Sequence, residues 1–245
     1  MSDISVLVTG YKRPHTLEPQ ITAISSQTVR PKHIVVWQNE TKHSSAYLAK
    51  TNYICCKENW GVWPRFSFPL HAFDTKYVAI FDDDTIPGEQ WFDNCLETIQ
   101  KTPALLGANG VIFPKLDRSP RQYVGWSSCN PRAEYVDIVG HCWFFERDWL
   151  RYFCNTLRAD ATGDTCGEDY HFSYALQQAG IPTIVPPHPR DDIGMWGSTR
   201  GSLGMDDNAL YLQPGEEEKK AAVHAEYRQL GWKLVSERNE SEILP

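Results

Sequence analysis

The chain has no surplus of positive charge, no long apolar run and no paired cysteine motif. Its 24 Lys and Arg stand against 31 Asp and Glu, a formal net charge of −7. Nonspecific binding to nucleic acid needs a basic footprint, so no nucleic-acid partner is expected. No stretch approaches the roughly 20 apolar residues that cross a bilayer, and Met1-Ser2-Asp3-Ile4 does not open a signal peptide. A cytoplasmic protein with no transmembrane segment is expected, peripheral membrane association remaining compatible. Cys55, Cys56, Cys95, Cys129, Cys142, Cys154 and Cys166 contain no Cys-x-x-Cys pair. That removes zinc ribbons and thioredoxin-like chemistry, and suits buried thiols in a reducing compartment. Asn39-Glu40-Thr41 and Asn239-Glu240-Ser241 match the glycan-acceptor pattern, but without a secretion signal both read as chance.

What is present fits one α/β domain of 245 residues with an ordinary 41% hydrophobic content. Ile4 to Thr9 reads as a strand ending at Gly10, and His15 to Gln27 has helical spacing after Pro14. Strands follow at His33 to Trp37 and Tyr53 to Cys56, with a short helix over Ser45 to Lys50 between them. A helix from Arg65 to Phe73 leads to a strand at Tyr77 to Phe81. Such alternation predicts a mixed, mostly parallel sheet flanked by helices, with ligands outside the carboxyl ends of its strands. Further strands are expected at Leu105 to Phe113, Tyr123 to Trp126, Tyr135 to Phe145 and Ile181 to Val185. Helices are expected at Asp148 to Leu157, from Gly167 to about Gln178, and at Glu216 to Leu230. The Pro-, Gly- and Asp-rich run from Pro186 to Gly204 reads as a long mobile loop, and the tail beyond Trp232 as frayed.

The most telling stretch is Tyr77-Val78-Ala79-Ile80-Phe81-Asp82-Asp83-Asp84-Thr85, an apolar strand running into three consecutive carboxylates. Like charges side by side at a strand end are costly unless a cation neutralises them. A hard divalent ion with oxygen ligands, completed by substrate phosphates, is the usual solution. An acidic turn capping the helix that begins near Glu89 is the plainer alternative.

Gly10-Tyr11-Lys12-Arg13 after the first strand, a second strand ending in a polar pocket, and Asn59-Trp60-Gly61 with Arg65 then precede Asp82-Asp83-Asp84. Together they resemble a GT-A fold glycosyltransferase of the family-two or exostosin-like kind, over about Ile4 to Pro189. The resemblance implies a single domain over residues 1–245. Its nucleotide-binding half spans about 1–115 and its acceptor-binding half about 116–230, with a tail over 231–245. It implies a nucleotide-sugar donor, UDP-sugar favoured and GDP-sugar possible, a glycan acceptor, and Mn2+ or Mg2+ as cofactor. The triplet matches the family's Asp-x-Asp motif, with Asp84 as metal ligand and Asp83, beside Asp82, holding ribose hydroxyls. Thr9, Tyr11, Arg13, Asn39 and Asn59 match the nucleotide pocket, and Arg65 the arginine ahead of the motif strand. Glu168 and Asp169 look like the pair that opens a helix and supplies the catalytic base; Asp164 and Asp160 stand in reserve. His188 is similar to a histidine that adds a metal ligand, with His171 and His141 as poorer choices. His141 and Trp143 lie on the strand that forms the acceptor floor, where Trp143 could stack on a sugar or pack in the core. Trp196, between glycines, marks a loop that would close over the donor.

Two rival classes share parts of this pattern. Asp82-x-Asp84 after an apolar strand imitates the nucleophile motif of haloacid-dehalogenase phosphatases. That motif belongs on a first strand with Thr or Val two places on, where this chain has Ile86. A non-catalytic, metal-dependent sugar-binding module would also use carboxylates and tryptophans. A sugar-nucleotide pyrophosphorylase would need a glycine-rich N-terminal loop, and only Gly10 is there.

Overall fold

The computed structural model describes residues 2–40, 51–115, 118–156, 166–200, 203–207 and 209–238. Strand β1 (Ile4–Gly10) is buried from Ile4 through Val8 and apolar there except at Ser5, as a central strand covered on both faces must be. Helix α1 (Pro14–Ser25) starts on a proline, whose missing N–H costs nothing there, and buries Leu17, Ile21 and Ile24. Strand β2 (His33–Gln38) returns parallel to β1, and β3 (Asn52–Cys55) pairs parallel with β2. The chain then crosses back. A 3-10 turn at Trp63–Phe66 and short helix α2 (Phe68–Ala72) stand where one continuous helix was expected. Strand β4 (Tyr77–Asp82) lies on the other edge of β1, with Thr9 opposite Asp82. The sheet therefore reverses its strand order beside β1, and the aspartates emerge at that switch point.

Helix α3 (Trp91–Lys101) buries Trp91, Phe92, Cys95 and Ile99. Strands β5 (Leu105–Ile112), β6 (Gln122–Gly125), β7 (Glu134–Tyr135) and β8 (Ile138–Glu146) follow, then helices α4 (Leu150–Asn155) and α5 (Glu168–Gln178). Strand β9 (Thr183–Val185) and helix α6 (Glu216–Gln229) end the series. The nine strands form one sheet in the order β3-β2-β1-β4-β8-β5-β9-β7, with β6 also on β5. Antiparallel β8 wedges between β4 and β5, so the parallel character expected of the sheet belongs to its first four strands and the rest is mixed.

Two expectations are corrected. The tail does not fray at once, because Trp232 and Leu234 are buried with Phe113, Tyr170 and Tyr227 in a second small core. The Asp137 carboxylate also accepts from the Val235 N–H at 2.6 Å. Burying each such side chain contributes about 1.5–3 kcal/mol, enough to hold a short terminal segment. Nor is 186–199 a free loop: Gly88 N–H donates to Trp196 O, Gln90 N–H to Gly194 O and Thr199 N–H to Ile86 O. Asn94 Nδ2 further donates to Pro187 O and Met195 O. The expected helix at 45–50 lies outside the described residues. Among the described residues, no helix is long and apolar enough to cross a membrane.

Candidate active site

The turn after β4 is fastened from below. Gln20 of α1 is wholly buried, and its Nε2 donates to Asp82 O and Thr85 O, both at 2.6 Å. Thr85 Oγ1 donates to His141 O at 2.8 Å, tying the turn to β8. The three carboxylates thus leave the sheet in different directions and find different partners.

Asp82 is hydrogen-bonded and ion-paired to Arg65, whose other terminal nitrogen lies 3.6 Å from Glu168 Oε1. Arg65 comes from the 3-10 turn, donates Nε–H to Val62 O, and lays its guanidinium 5.1 Å from the Trp143 ring centre. It holds the acidic motif strand and the start of α5 in one network. Burial pushes the Asp82 carboxyl above its ordinary value, against the pull of Arg65. Burial also pushes Glu168 up to about 8, again opposed by Arg65.

Asp83 is the most enclosed of the three. It accepts from the Tyr11 N–H at 2.7 Å and from Arg13 Nη1 at 2.8 Å. Burial raises its pKa to about 7 despite both donors. Asp84 faces His141, with Oδ1 3.7 Å from Nδ1 and Oδ2 3.4 Å from Arg13 Nη1. Burial opposes its charge, but His141 and Arg13 outweigh that and hold its carboxyl below the usual range.

His141 stands at φ 64°, in the left-handed region that a side chain rarely adopts. It follows Gly140, where the β5·β8 register shifts between Gly107 and Asn109. The bulge turns the imidazole toward Asp84, and Trp126 packs edge-on against it at 4.5 Å. Lys12 and Glu40, the other non-glycine residues with positive φ among those described, follow β1 and β2. Strain of this kind concentrates at functional sites.

Asp82, Asp84 and His141 each bring one ligand atom, and these atoms lie within 4.8 Å of one another. Two carboxylates and an imidazole at a strand end make a donor set that suits Mn2+ better than Mg2+. Asp84 is already held in its charged form. The residues fit a divalent ion.

Asp169 lies beside Glu168 at the start of α5, where its Oδ1 accepts from the Tyr170 N–H at 2.8 Å. Burial raises its pKa, with the Tyr170 N–H and the Lys220 charge opposing. Gly167 enables this start by standing at φ 99°, with Val223 packed close where a Cβ would go.

Other expected residues are placed differently. His188 is not brought to the carboxylates. It is fully buried, its Nδ1 bonds Pro186 O at 2.8 Å, and its Nε2 accepts from the Gly197 N–H at 3.1 Å. With both ring nitrogens engaged it has no lone pair for a metal, which corrects the ligand role read from sequence. His171 is likewise spent on Tyr227 and Phe153 O. Trp143 is only 2% exposed, packed against Phe66 with its indole N–H on Val139 O, so it cannot present a face to a sugar. The half-buried ring beside His141 is Trp126. Thr9 donates to Phe81 O and ties β1 to β4. Asn39 is buried, accepting from Trp37 Nε1 and the Trp60 N–H and donating to Gly61 O. Asn59 is exposed and accepts from the Gly61 N–H, an Asx turn. Asp160 and Asp164 lie outside the described residues. Gln20, Thr85 and Asp206 escaped the sequence reading; Asp206 pairs with Arg13 through two 2.9 Å bonds.

Residues 5–154 match the family described as Glycosyl transferase family 2, more than half of the 245-residue chain, and the protein belongs to that family. It is a glycosyltransferase with the GT-A fold, which implies a nucleotide-sugar donor and an acceptor. The matched span contains Arg13, Arg65, the aspartate triplet and His141, and stops before Glu168. No curated protein matches the chain.

Proposed function

We propose that the protein is a divalent-cation-dependent transferase moving a hexose or deoxyhexose from a nucleoside diphosphate to a hydroxyl of a glycan or related acceptor. A UDP-sugar is the favoured donor and a GDP-sugar the second choice. The observation that carries this reading is the convergence of Asp82, Asp84 and His141 at the switch point of a family-two fold. Those three residues would hold Mn2+ or Mg2+, which when bound neutralises charge on the departing diphosphate. Arg13 reaches the same corner and pairs with a phosphate. Asp83, fixed by the Tyr11 N–H and Arg13, accepts from the ribose hydroxyls.

In the transfer, the acceptor oxygen bonds to the anomeric carbon as the bond to the diphosphate oxygen breaks. The bonding pair leaves with the phosphate, and the acceptor proton goes to Asp169. The helix N-terminus favours the charged form of Asp169, but burial outweighs it, and the raised pKa makes the carboxylate the stronger base. Arg65 links Asp82 to Glu168 and so sets the distance between the donor corner and the base.

The test is a thermal-shift series with UDP and GDP, each with and without Mn2+. A ligand that binds the native state raises the melting temperature by mass action. A rise that depends on the divalent ion is expected. No rise with either nucleotide, or an equal rise in a chelator, would overturn the reading.

A further inference from the structure

The corner that would take a cation and a diphosphate already has an occupant from the same chain. The guanidinium of Arg13 is buried, and Nη1 points at Asp83 and Asp84. Its Nε and Nη2 edge donates to both oxygens of Asp206, at 2.9 Å each. This is the parallel two-bond fork by which arginine recognises carboxylates and phosphates alike. Just upstream, Gly204 lies so close to the triplet that a Cβ on it would stand 2.1 Å from Asp84 Oδ2. Residues 203–207 therefore cover both halves of the corner: Asp206 takes the arginine edge and Gly204 blocks the outer side of Asp84.

A fourth carboxylate beside three others is an unfavourable neighbour unless it gains a cation, and here it gains Arg13. The cover is not part of the core. Met205 is 69% exposed, Asp207 is exposed, and the Asp206 side chain keeps a third of its surface in solvent. The carboxylate side of this pair is open to solvent, so an incoming anion that offers the same two-oxygen fork can reach and exchange with it.

We infer that Asp206 is an internal stand-in for the donor's diphosphate. The 203–207 segment is then a latch that closes the empty site and is displaced when a metal-bound diphosphate takes the outer edge of Arg13. This rests on the donor reading above. Its cost is a reduced apparent affinity, since only the open fraction of molecules binds donor. The gain is a buried arginine and an acidic corner that are never left bare.

The experiment uses the full chain and Asp206→Asn, which keeps the shape and removes the charge. The latch itself is read without nucleotide, as the rate of tryptic cleavage after Arg200, which is exposed and just upstream of the latch. Donor competition is read as the dissociation constants of UDP and GDP with Mn2+. The inference expects faster cleavage in the variant and about 3- to 10-fold tighter nucleotide binding, the range given by a site closed most of the time. Adding the tighter-binding nucleotide to the natural chain should speed the same cleavage. Unchanged cleavage in Asp206→Asn overturns the latch. Faster cleavage with weaker nucleotide binding also overturns it, making Asp206 part of the donor's own site. Faster cleavage with no nucleotide binding to either chain upholds the latch and sinks the donor reading instead. Gly204→Ala serves as a second variant, because its methyl collides with Asp84 and should open the latch with Asp206 intact.

Discussion

The corner around Asp84 and the knot around His188 each contain one histidine, and the two are built on opposite principles. At the knot every polar atom of the ring is matched: Pro186 O takes the Nδ1 proton, Nε2 takes the Gly197 N–H, and Trp91 and Trp196 pack on either side. Burial pushes that imidazole down to about 4, so it stays neutral. At the corner the charges do not balance. His141 is drawn up by Asp84 against its own burial, on strained backbone, while three aspartates compete for Arg13 and Arg65. A histidine satisfied from within has nothing left for a ligand. A corner held together by surplus charge and strain is suited to an ion and an anionic substrate.

The contrast breaks most visibly at Asp84. Asp84→Asn removes a carboxylate proposed to hold the cation, and a loss of several kcal/mol of transition-state stabilisation is expected. At about 1.4 kcal/mol per decade that is roughly 10³-fold or more in rate. Nucleoside diphosphate release from a sugar donor measures it, and a variant retaining more than a tenth of the natural rate would contradict the metal corner. Asp169→Asn comes next, with turnover falling about 100-fold while the donor dissociation constant holds. Its pH behaviour has a definite sign. A proposed base must be ionised to act, and burial raises the Asp169 pKa, so kcat/KM should fall on acidification from a pH above the ordinary aspartate value near 4. An acid limb below pH 4 would remove Asp169 from the role.

His188→Asn tests the other half of the comparison. The amide keeps a donor near the Nδ1 position for Pro186 O but cannot reach the buried Gly197 N–H, which loses its acceptor, and a stability loss of about 2 kcal/mol is expected in denaturant titration. Mn2+ affinity should not change. In the natural chain the His188 pKa is lower folded than unfolded. Its contribution is therefore complete above about pH 6.5 and is lost as pH falls toward 4. If the variant stays stable but binds Mn2+ less tightly, the two histidines have been assigned the wrong way round.

What could be read before folding follows from how far each signal travels along the chain. The apolar run ending in Asp82, Asp83 and Asp84 carries its meaning locally, because the clash of charges is visible in adjacent residues. Arg13 and Arg65 are recognisable as cations, but their partners in the triplet lie 70 and 17 positions away. His188 misled because its bonds to Pro186 and Gly197 form only when 186–199 folds onto α3 and the turn before it. Trp143 misled for a related reason. Strand β8 is covered on both faces from Cys142 to Phe145, so alternation says nothing about which ring meets solvent. His141 did carry a signal, a glycine before it in mid-strand, which marks a bulge. Asp206 carried none; an aspartate in a polar loop is unremarkable until Arg13 is found beneath it.

The smallest expected effect sharpens the comparison most, because it touches the corner without removing a charge. Thr85 Oγ1 donates to His141 O, a second tie between the aspartate turn and the strained residue of β8 beside the Asp84–His141 contact. Thr85→Val keeps the volume and deletes this bond together with the longer 3.4 Å one to Asp84 Oδ1, leaving the His141 carbonyl short of a partner beside a side chain with no solvent exposure. A cost of about 1 kcal/mol is expected, in stability or in Mn2+ affinity. Which of the two moves is informative. If His141 holds its left-handed conformation through packing against Trp126, stability alone falls. If the tie to Thr85 holds it there, the imidazole relaxes away from Asp84 and Mn2+ affinity falls about 5-fold with little change in melting temperature. Mn2+ titration of the variant beside its thermal denaturation separates the two, and no change in either would show that the tie does not position His141.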